Sequence, residues 1–309
     1  MSRFVVGIDI GATNTRAGLV ALDGLKVIRE ERFVTRSAGG FAGFIERLYA
    51  TLRLLEETPA AVGIGVAGLV DSASGSVLYS PNLPGWRNAP LGPELSRLSG
   101  VPVWIDNDAN MAALGEQRAG AAVGLGHLIC LTLGTGVGGG LVLNGEIYTG
   151  ARGQAGEVGH MVIESGGALC NCGHRGCLET IASATGLLRM AREGMAKGEE
   201  TSLAPEDLSA RSIAAAARAE DRFALDLYAR LGRALGFVTA NICNLLDLDA
   251  AVLTGGVAAA WDLFIPHLHS ELELNLLPLK NFRVLRGTLG DTAGILGAAC
   301  LALGRLEQA

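Results

Sequence analysis

An α/β fold of two similar lobes is what this sequence predicts, and three observations carry it. Strand-like and helix-like periodicities alternate along the 309 residues. A strand, glycine-rich turn and strand near the N-terminus recur about 120 residues later, as an internal duplication would require. The stretch Glu157 to Glu179 gathers three cysteines and two histidines, which predicts a metal held by the second lobe.

Phe4 to Ile10 reads as a buried strand. Asp9-Ile10-Gly11-Ala12-Thr13-Asn14-Thr15-Arg16 then makes a tight turn, and Ala17 to Val20 returns, followed by a third strand over Val27 to Val34. Such a hairpin lets backbone N–H groups and the Thr13 hydroxyl approach a phosphate, while Asp9 can hold Mg2+ directly or through water. Alone, Asp-x-Gly-x-Thr is more often an ordinary turn. Phe44, Ile45, Leu48, Leu52 and Leu55 fall at helical spacing, so Phe41 to Glu57 is predicted helical. Ala61 to Gly68 is a buried strand, with a polar hairpin through Asp71 and Ser74-Gly75 after it. Pro81 to Trp86 is too rich in proline for regular structure. Val101 to Ile105 is a strand running into Asp106-Asn107-Asp108-Ala109-Asn110 and an alanine-rich helix to about Ala119. Ligands collect at the carboxyl ends of such strands, although capping is the commoner use of Asn and Asp.

Ile129 to Leu143 repeats the first hairpin, with Thr132, Gly134, Thr135 and Gly136 at its turn. Leu178 to Ala196 reads as one helix, and Arg222 to Leu246 is the longest helical pattern. Ala250 to Val257 is a strand ending in Gly255-Gly256. Asn281 to Leu285 is a further strand, and Ala293 to Leu303 a closing helix that should return to the N-terminal lobe.

Cys170, Cys172 and Cys177 lie within eight residues and cannot pair off evenly. No secretory signal precedes them, so a reducing cytoplasm is expected and structural zinc is the economical reading. Three ligands are thiols. The fourth is His160 or His174, which spacing does not separate. Cys130, Cys243 and Cys300 sit in apolar contexts and are expected to be inert core thiols.

Composition narrows the partners. The chain is 49% hydrophobic with a net charge of −6, and only Lys26, Lys197 and Lys280 are lysines. No basic stripe offers itself to nucleic acid, and no apolar run approaches a membrane span. The sequence lacks a G-x-x-x-x-G-K-[ST] motif, so phosphate charge is expected to be met by Mg2+, backbone N–H groups and Arg16.

The paired hairpins resemble the actin-like ATPase (ribonuclease H-like) fold of sugar kinases, the heat-shock chaperone ATPase and actin. Glu157-Val158-Gly159-His160 followed by Cys170-Asn171-Cys172-Gly173-His174-Arg175-Gly176-Cys177-Leu178-Glu179 resembles the signature of the ROK family of sugar kinases and sugar-sensing repressors. Asn107-Asp108-Ala109-Asn110 resembles that family's catalytic motif, and Pro81 to Trp86 the sugar loop of its bacterial glucokinases. The resemblance implies two α/β lobes around a nucleotide and sugar cleft, expected at 1–107 with 292–309 and at 108–291. It implies Asp108 as the base and His160 as fourth zinc ligand. It implies Gly68, Asn82, Asn107, Asp108, Glu157, His160 and Glu179 around the sugar. Asp9, Gly11, Thr13, Thr132, Gly134, Thr135, Gly136, Gly255 and Gly256 would serve ATP. One His160 nitrogen would hold zinc while the other faces the sugar. Expected activity is ATP-dependent phosphorylation of a hexose 6-hydroxyl, glucose first, with N-acetylmannosamine, allose or fructose as alternatives. A homodimer is usual in the family. Its repressors carry an additional N-terminal helix-turn-helix domain, for which a first strand beginning at Phe4 leaves no room. An actin-like ATPase without a sugar substrate would explain neither Asp108 nor the cysteine cluster.

Overall fold

The computed structural model describes residues 3–35, 40–80, 83–278 and 281–308. They form two compact units, Met1–Gly126 with Gly140–Gly156 and Gly287–Ala309, and His127–Gly139 with Glu157–Arg286.

The first unit opens with β1 (Phe4–Ile10), β2 (Asn14–Ala21), β3 (Lys26–Val34), α1 (Gly40–Leu54) and β4 (Val62–Val66). A small sheet of β5 (Leu69–Asp71), β6 (Ser76–Tyr79) and β7 (Arg87–Ala89) follows, then α2 (Leu91–Ser99), β8 (Val103–Asn107) and α3 (Asp108–Ala119). The main sheet has the order β3-β2-β1-β4-β8, with β1 to β3 antiparallel and β1, β4 and β8 parallel. Ile8, Ile10, Phe44, Leu48, Ile64, Leu91, Leu95 and Ile105 fill one face as a single apolar core. Trp86 belongs to that core: it is buried and meets Phe41 and Phe44 edge-on. Pro81 and Asn82, from the same expected sugar loop, lie outside the described residues.

The chain continues through β9 (Leu128–Leu133), β10 (Val137–Leu143), β11 (Glu146–Ile147), α4 (Glu179–Ala182), α5 (Ala184–Ala196), α6 (Ala210–Arg218) and α7 (Arg222–Leu246). It then forms β12 (Ala250–Thr254), α8 (Trp261–Asn275), β13 (Arg283–Arg286) and α9 (Ala293–Glu307). The second sheet has the order β11-β10-β9-β12-β13. The 25-residue α7 buries Leu227, Leu231, Leu235, Val238 and Ile242 along one stripe. Its start is set by Asp221, which accepts the Ala224 N–H, and its end by Asp247 in the left-handed conformation.

Two expectations change. The division between units lies at residue 126, not 107, because α3 is built into the first unit. The buried Glu116 of α3 accepts N–H groups from Ala121, Thr288 and Leu289, tying it to the segment leading into α9. The expected helix over Leu178 to Ala196 is broken at Ser183. Its extended backbone lets Oγ accept the Gly186 N–H and cap α5 anew. Cys130, Cys243 and Cys300 are all buried, as expected.

Candidate functional site

In the first unit, β1 and β2 place Asp9 directly opposite Arg16. The turn between them is internally closed. Gly11 N–H donates to Asn14 O at 3.0 Å, and Gly11 O accepts from the Thr35 hydroxyl at 2.8 Å. Thr13 O accepts the Thr35 N–H at 2.8 Å. The Gly11 N–H is therefore committed to holding the turn. Arg16 is also committed: Nε and Nη2 bracket the Glu30 carboxylate at 2.8 and 3.2 Å, and Nη1 donates to Asp291 O. These contacts use three of the five guanidinium N–H groups and fix its orientation, leaving one N–H on each Nη. Burial first, and then the nearby Asp108 carboxylate, push Asp9 up to about 6 against the pull of Arg16.

The β8–α3 junction carries the adjacent acids. Asp106 is buried, accepting from the Asn107 N–H and the Asn110 amide, both at 2.7 Å, and from Ser72 Oγ at 3.2 Å. It is a structural anchor. Asn107 Oδ1 caps α3 by accepting from Ala109 and Asn110, while Nδ2 donates to Gly68 O at 3.0 Å. One N–H of that amide remains for a ligand. Gly68 needs its glycine, since φ is +130° and an added Cβ would meet Tyr79 O at 2.5 Å. Asp108, half-buried on the first turn of α3, accepts the Ala109 N–H at 3.0 Å.

In the second unit, the turn after β9 mirrors the first. Gly134 N–H donates to Gly136 O at 3.0 Å. Its outward carbonyls are clamped by the start of α5: Ala184 N–H donates to Gly134 O at 2.9 Å, and Thr185 Oγ1 to Thr135 O at 2.8 Å. Glu179 Oε2 accepts the Val137 N–H at 3.0 Å, while Oε1 lies 3.7 Å from Cys170 Sγ. Glu179 thus joins the glycine turn to the cysteine cluster. Thr132 and Thr254 lie side by side at the ends of β9 and β12. Gly255 has φ +92° and sits 2.6 Å, as a built Cβ, from Leu133 O, so only glycine fits; Gly256 faces open space.

The metal-ligand geometry can be tested directly. His160, Cys170, Cys172 and Cys177 present ligand atoms all within 4.8 Å of one another. A tetrahedral zinc with Zn–S near 2.3 Å implies edges of about 3.5–3.8 Å. Cys172 and Cys177 Sγ are 3.6 Å apart, and Cys170 Sγ is 3.7 Å from His160 Nδ1. The donors fit zinc. His174 Nδ1 also lies 3.6 Å from Cys172 Sγ, but it does not join the mutual cluster. Nδ1 is therefore the cluster-side nitrogen of His160, and its Nε2 lies 3.9 Å from Glu157. Burial pushes Cys177 up to about 12, whereas for Cys172 hydrogen bonds led by the His174 N–H outweigh burial and bring it to about 6. A bound metal would hold all three as thiolates.

The profile of the ROK family matches residues 5–305. The chain belongs to the ROK family. Among ROK proteins, a glucokinase of Thermotoga maritima is 38% identical over 307 residues, covering 96% of each chain. A solved ROK family glucokinase from Streptomyces griseus, in complex with glucose and AMPPNP, is 33% identical with a TM-score of 0.81 over 97% of this chain and 99% of its own. The ROK hexokinase of Thermus thermophilus is 32% identical with a TM-score of 0.84 over 99% and 100%. Their shared architecture is the two-lobed α/β fold expected here. No helix among the described residues of this ROK chain is long and apolar enough to cross a membrane.

Sequence reasoning missed Ser183 and Thr185 as supports of the ROK glycine turn. The signal was a serine before a fresh helical run, hidden inside apolar spacing that suggested continuity. It also missed Glu30 and Asp291 as partners of Arg16, which no local pattern announces.

Proposed function

We propose that this ROK protein transfers the γ-phosphoryl group of ATP to the 6-hydroxyl of a hexose, with glucose preferred. The observation that carries the reading is Asp108. It stands at a strand-to-helix junction braced by Asp106, Asn107 and Asn110, with Asp9 near enough to feel its charge. Asp108 accepts the proton of the 6-hydroxyl as its oxygen attacks phosphorus. Asp9 holds the Mg2+ that accompanies ATP, directly or through water. That ion neutralises charge gathering on the phosphates.

The Gly11–Thr13 and Thr132–Gly136 turns and Gly255-Gly256 serve the nucleotide. Gly68, Asn82, Asn107, Glu157, His160 and Glu179 serve the sugar hydroxyls. Polar pairs discriminate strongly, since a missing hydroxyl leaves its partner unsatisfied. His160, Cys170, Cys172 and Cys177 would hold zinc, which would fix the tautomer and orientation of the His160 ring. The named glucokinases among the relatives, one of them solved with glucose and AMPPNP, support glucose.

A coupled ADP-release assay tests this over glucose, mannose, allose, fructose and N-acetylmannosamine. Glucose should give the highest kcat/KM. A tenfold advantage for another sugar, about 1.4 kcal/mol of transition-state preference, would overturn the glucose assignment. ATP consumption indifferent to every hexose would overturn the kinase reading.

A pH effect follows from Asp9. Its folded value of about 6 lies above the ordinary 3.8. Protonated Asp9 therefore favours the folded chain at low pH, and that contribution is lost as pH rises from about 4 through about 6. A cation bound to the ionised carboxylate offsets the loss. Mg-ADP should accordingly raise Tm more at about pH 7.5 than at about pH 5. An equal rise at both would remove Asp9 from the cation site.

A further inference from the structure

Helix α9 returns to the first sheet with its backbone pressed against two strands and a helix. Gly7 of β1 lies against Ile295 O, and Gly63 of β4 against Ala298 O. Gly115 of α3 lies against Ala293 O, and Gly297 of α9 against Met111 O. At each of these four places a Cβ would collide with backbone. Glycine allows the close approach, and the result is a helix with no room to slide or rotate over its first two turns. Ile295, Ala298 and Ala299 of the same helix are fully buried.

Gly294 sits on the first turn of this pinned helix and faces Asp9. A Cβ built on Gly294 would lie 2.8 Å from Asp9 Cγ and 3.1 Å from Asp9 Oδ2. Here the obstructing atoms belong to a side chain. Since α9 is held by backbone contacts, an added methyl at residue 294 cannot be absorbed by the helix. The Asp9 side chain must give instead: Cγ and Oδ2 by rotation about χ, and Cβ, 3.2 Å from the built atom, by a small shift. Its position is otherwise bounded by Arg16 across the β1–β2 ladder.

We propose that Gly294 is a positioning residue for phosphoryl transfer: its missing side chain lets a rigid α9 form the wall that aims the Asp9 carboxylate at the cation of Mg-ATP. This rests on the kinase reading above and deepens it. Gly294 touches neither substrate nor metal, and it acts only through Asp9.

The test is a double-mutant cycle read by calorimetric binding of Mg-ADP without hexose, using the full chain. Gly294→Ala should weaken Mg-ADP about tenfold and raise the Mg2+ concentration needed for half-maximal turnover by a similar factor. ADP binding without Mg2+ should not change. In the Asp9→Ala background Gly294→Ala should have no further effect, because the group it displaces is gone. Gly304→Ala on the same helix, where nothing lies within 4 Å of the built Cβ, controls for helix propensity and should bind normally.

Wild-type Mg2+ dependence in Gly294→Ala would overturn the proposal. So would an equal loss in the Asp9→Ala background, which would mean a general disturbance of the helix. Loss of fold in Gly294→Ala alone would overturn it too, since it would show that the helix yields and the carboxylate does not. Failure of the unmodified chain to bind Mg-ADP would overturn the kinase reading itself and is seen before any variant is made.

Discussion

Asp108→Asn should lower kcat by on the order of 10²–10⁴-fold while leaving glucose affinity nearly unchanged. The amide is isosteric with the carboxylate. Its oxygen can still accept the Ala109 N–H, now at 3.0 Å, so the first turn of α3 should keep its shape. The brace is also untouched: Asp106 still holds Asn107 and Asn110, and Asn107 still caps the helix. Only the capacity to take a proton from the sugar hydroxyl is lost. The measurement is steady-state kinetics beside calorimetric binding of glucose. A variant with near-normal turnover would remove Asp108 from the role of base, however well the sugar binds. A variant that loses glucose binding together with turnover would show instead that Asp108 holds the sugar.

Removing a zinc ligand should have the larger effect on stability. Cys177 is fully buried and lies 3.6 Å from Cys172 Sγ. The segment around it is closed by the isolated bridges Val162–Cys177 and Leu169–Arg175 and by short turns such as Cys170 N–H to His174 O at 2.8 Å. Zinc held there would add to that order, and its binding would then be part of the folding free energy. Cys177→Ser should release the zinc and cost on the order of 3–5 kcal/mol, lowering Tm by roughly 10 °C. Through Glu179, which touches both the cluster and Val137 N–H, the loss should also loosen the glycine turn and raise KM for ATP. His160→Ala should lose zinc as well, whereas His174→Ala should retain about one per chain. Metal analysis of protein purified without added zinc decides this. Absence of zinc from the unmodified chain, or unchanged zinc affinity in His160→Ala, would refute the ligand set.

The readings that survived from sequence were local ones. Phe4 to Ile10, Ala61 to Gly68 and Val101 to Ile105 declare themselves as strands, because a short, mostly apolar run bounded by turn residues is best satisfied by burial. The two hairpins declare a duplication because each turn needs its glycines for backbone reasons that operate within a few residues. The cysteines point to a metal because three thiols so close in sequence are already a potential chelate, and the structure brings them together with His160. Even Asn107 as a cap and Asp106 as an anchor depend on partners mostly within four residues.

What tertiary structure decided concerns partners far apart in the chain. The orientation of Arg16 is set by Glu30 and by the Asp291 carbonyl, 275 residues away, which accepts a hydrogen bond from Nη1. Composition could not say whether Trp86 of the Pro81–Trp86 loop is packed; Phe41 and Phe44 close around it. Spacing could not separate His160 from His174; in the fold, His160 lies within the mutual cluster of the three thiols and His174 does not. The helix beginning at Asp108 joined the first unit because Glu116 reaches Thr288 and Leu289. Periodicity reports which face of an element is buried. It carries no information on which distant element does the burying, and the aim of Asp9, Glu179 and His160 is set by those distant elements.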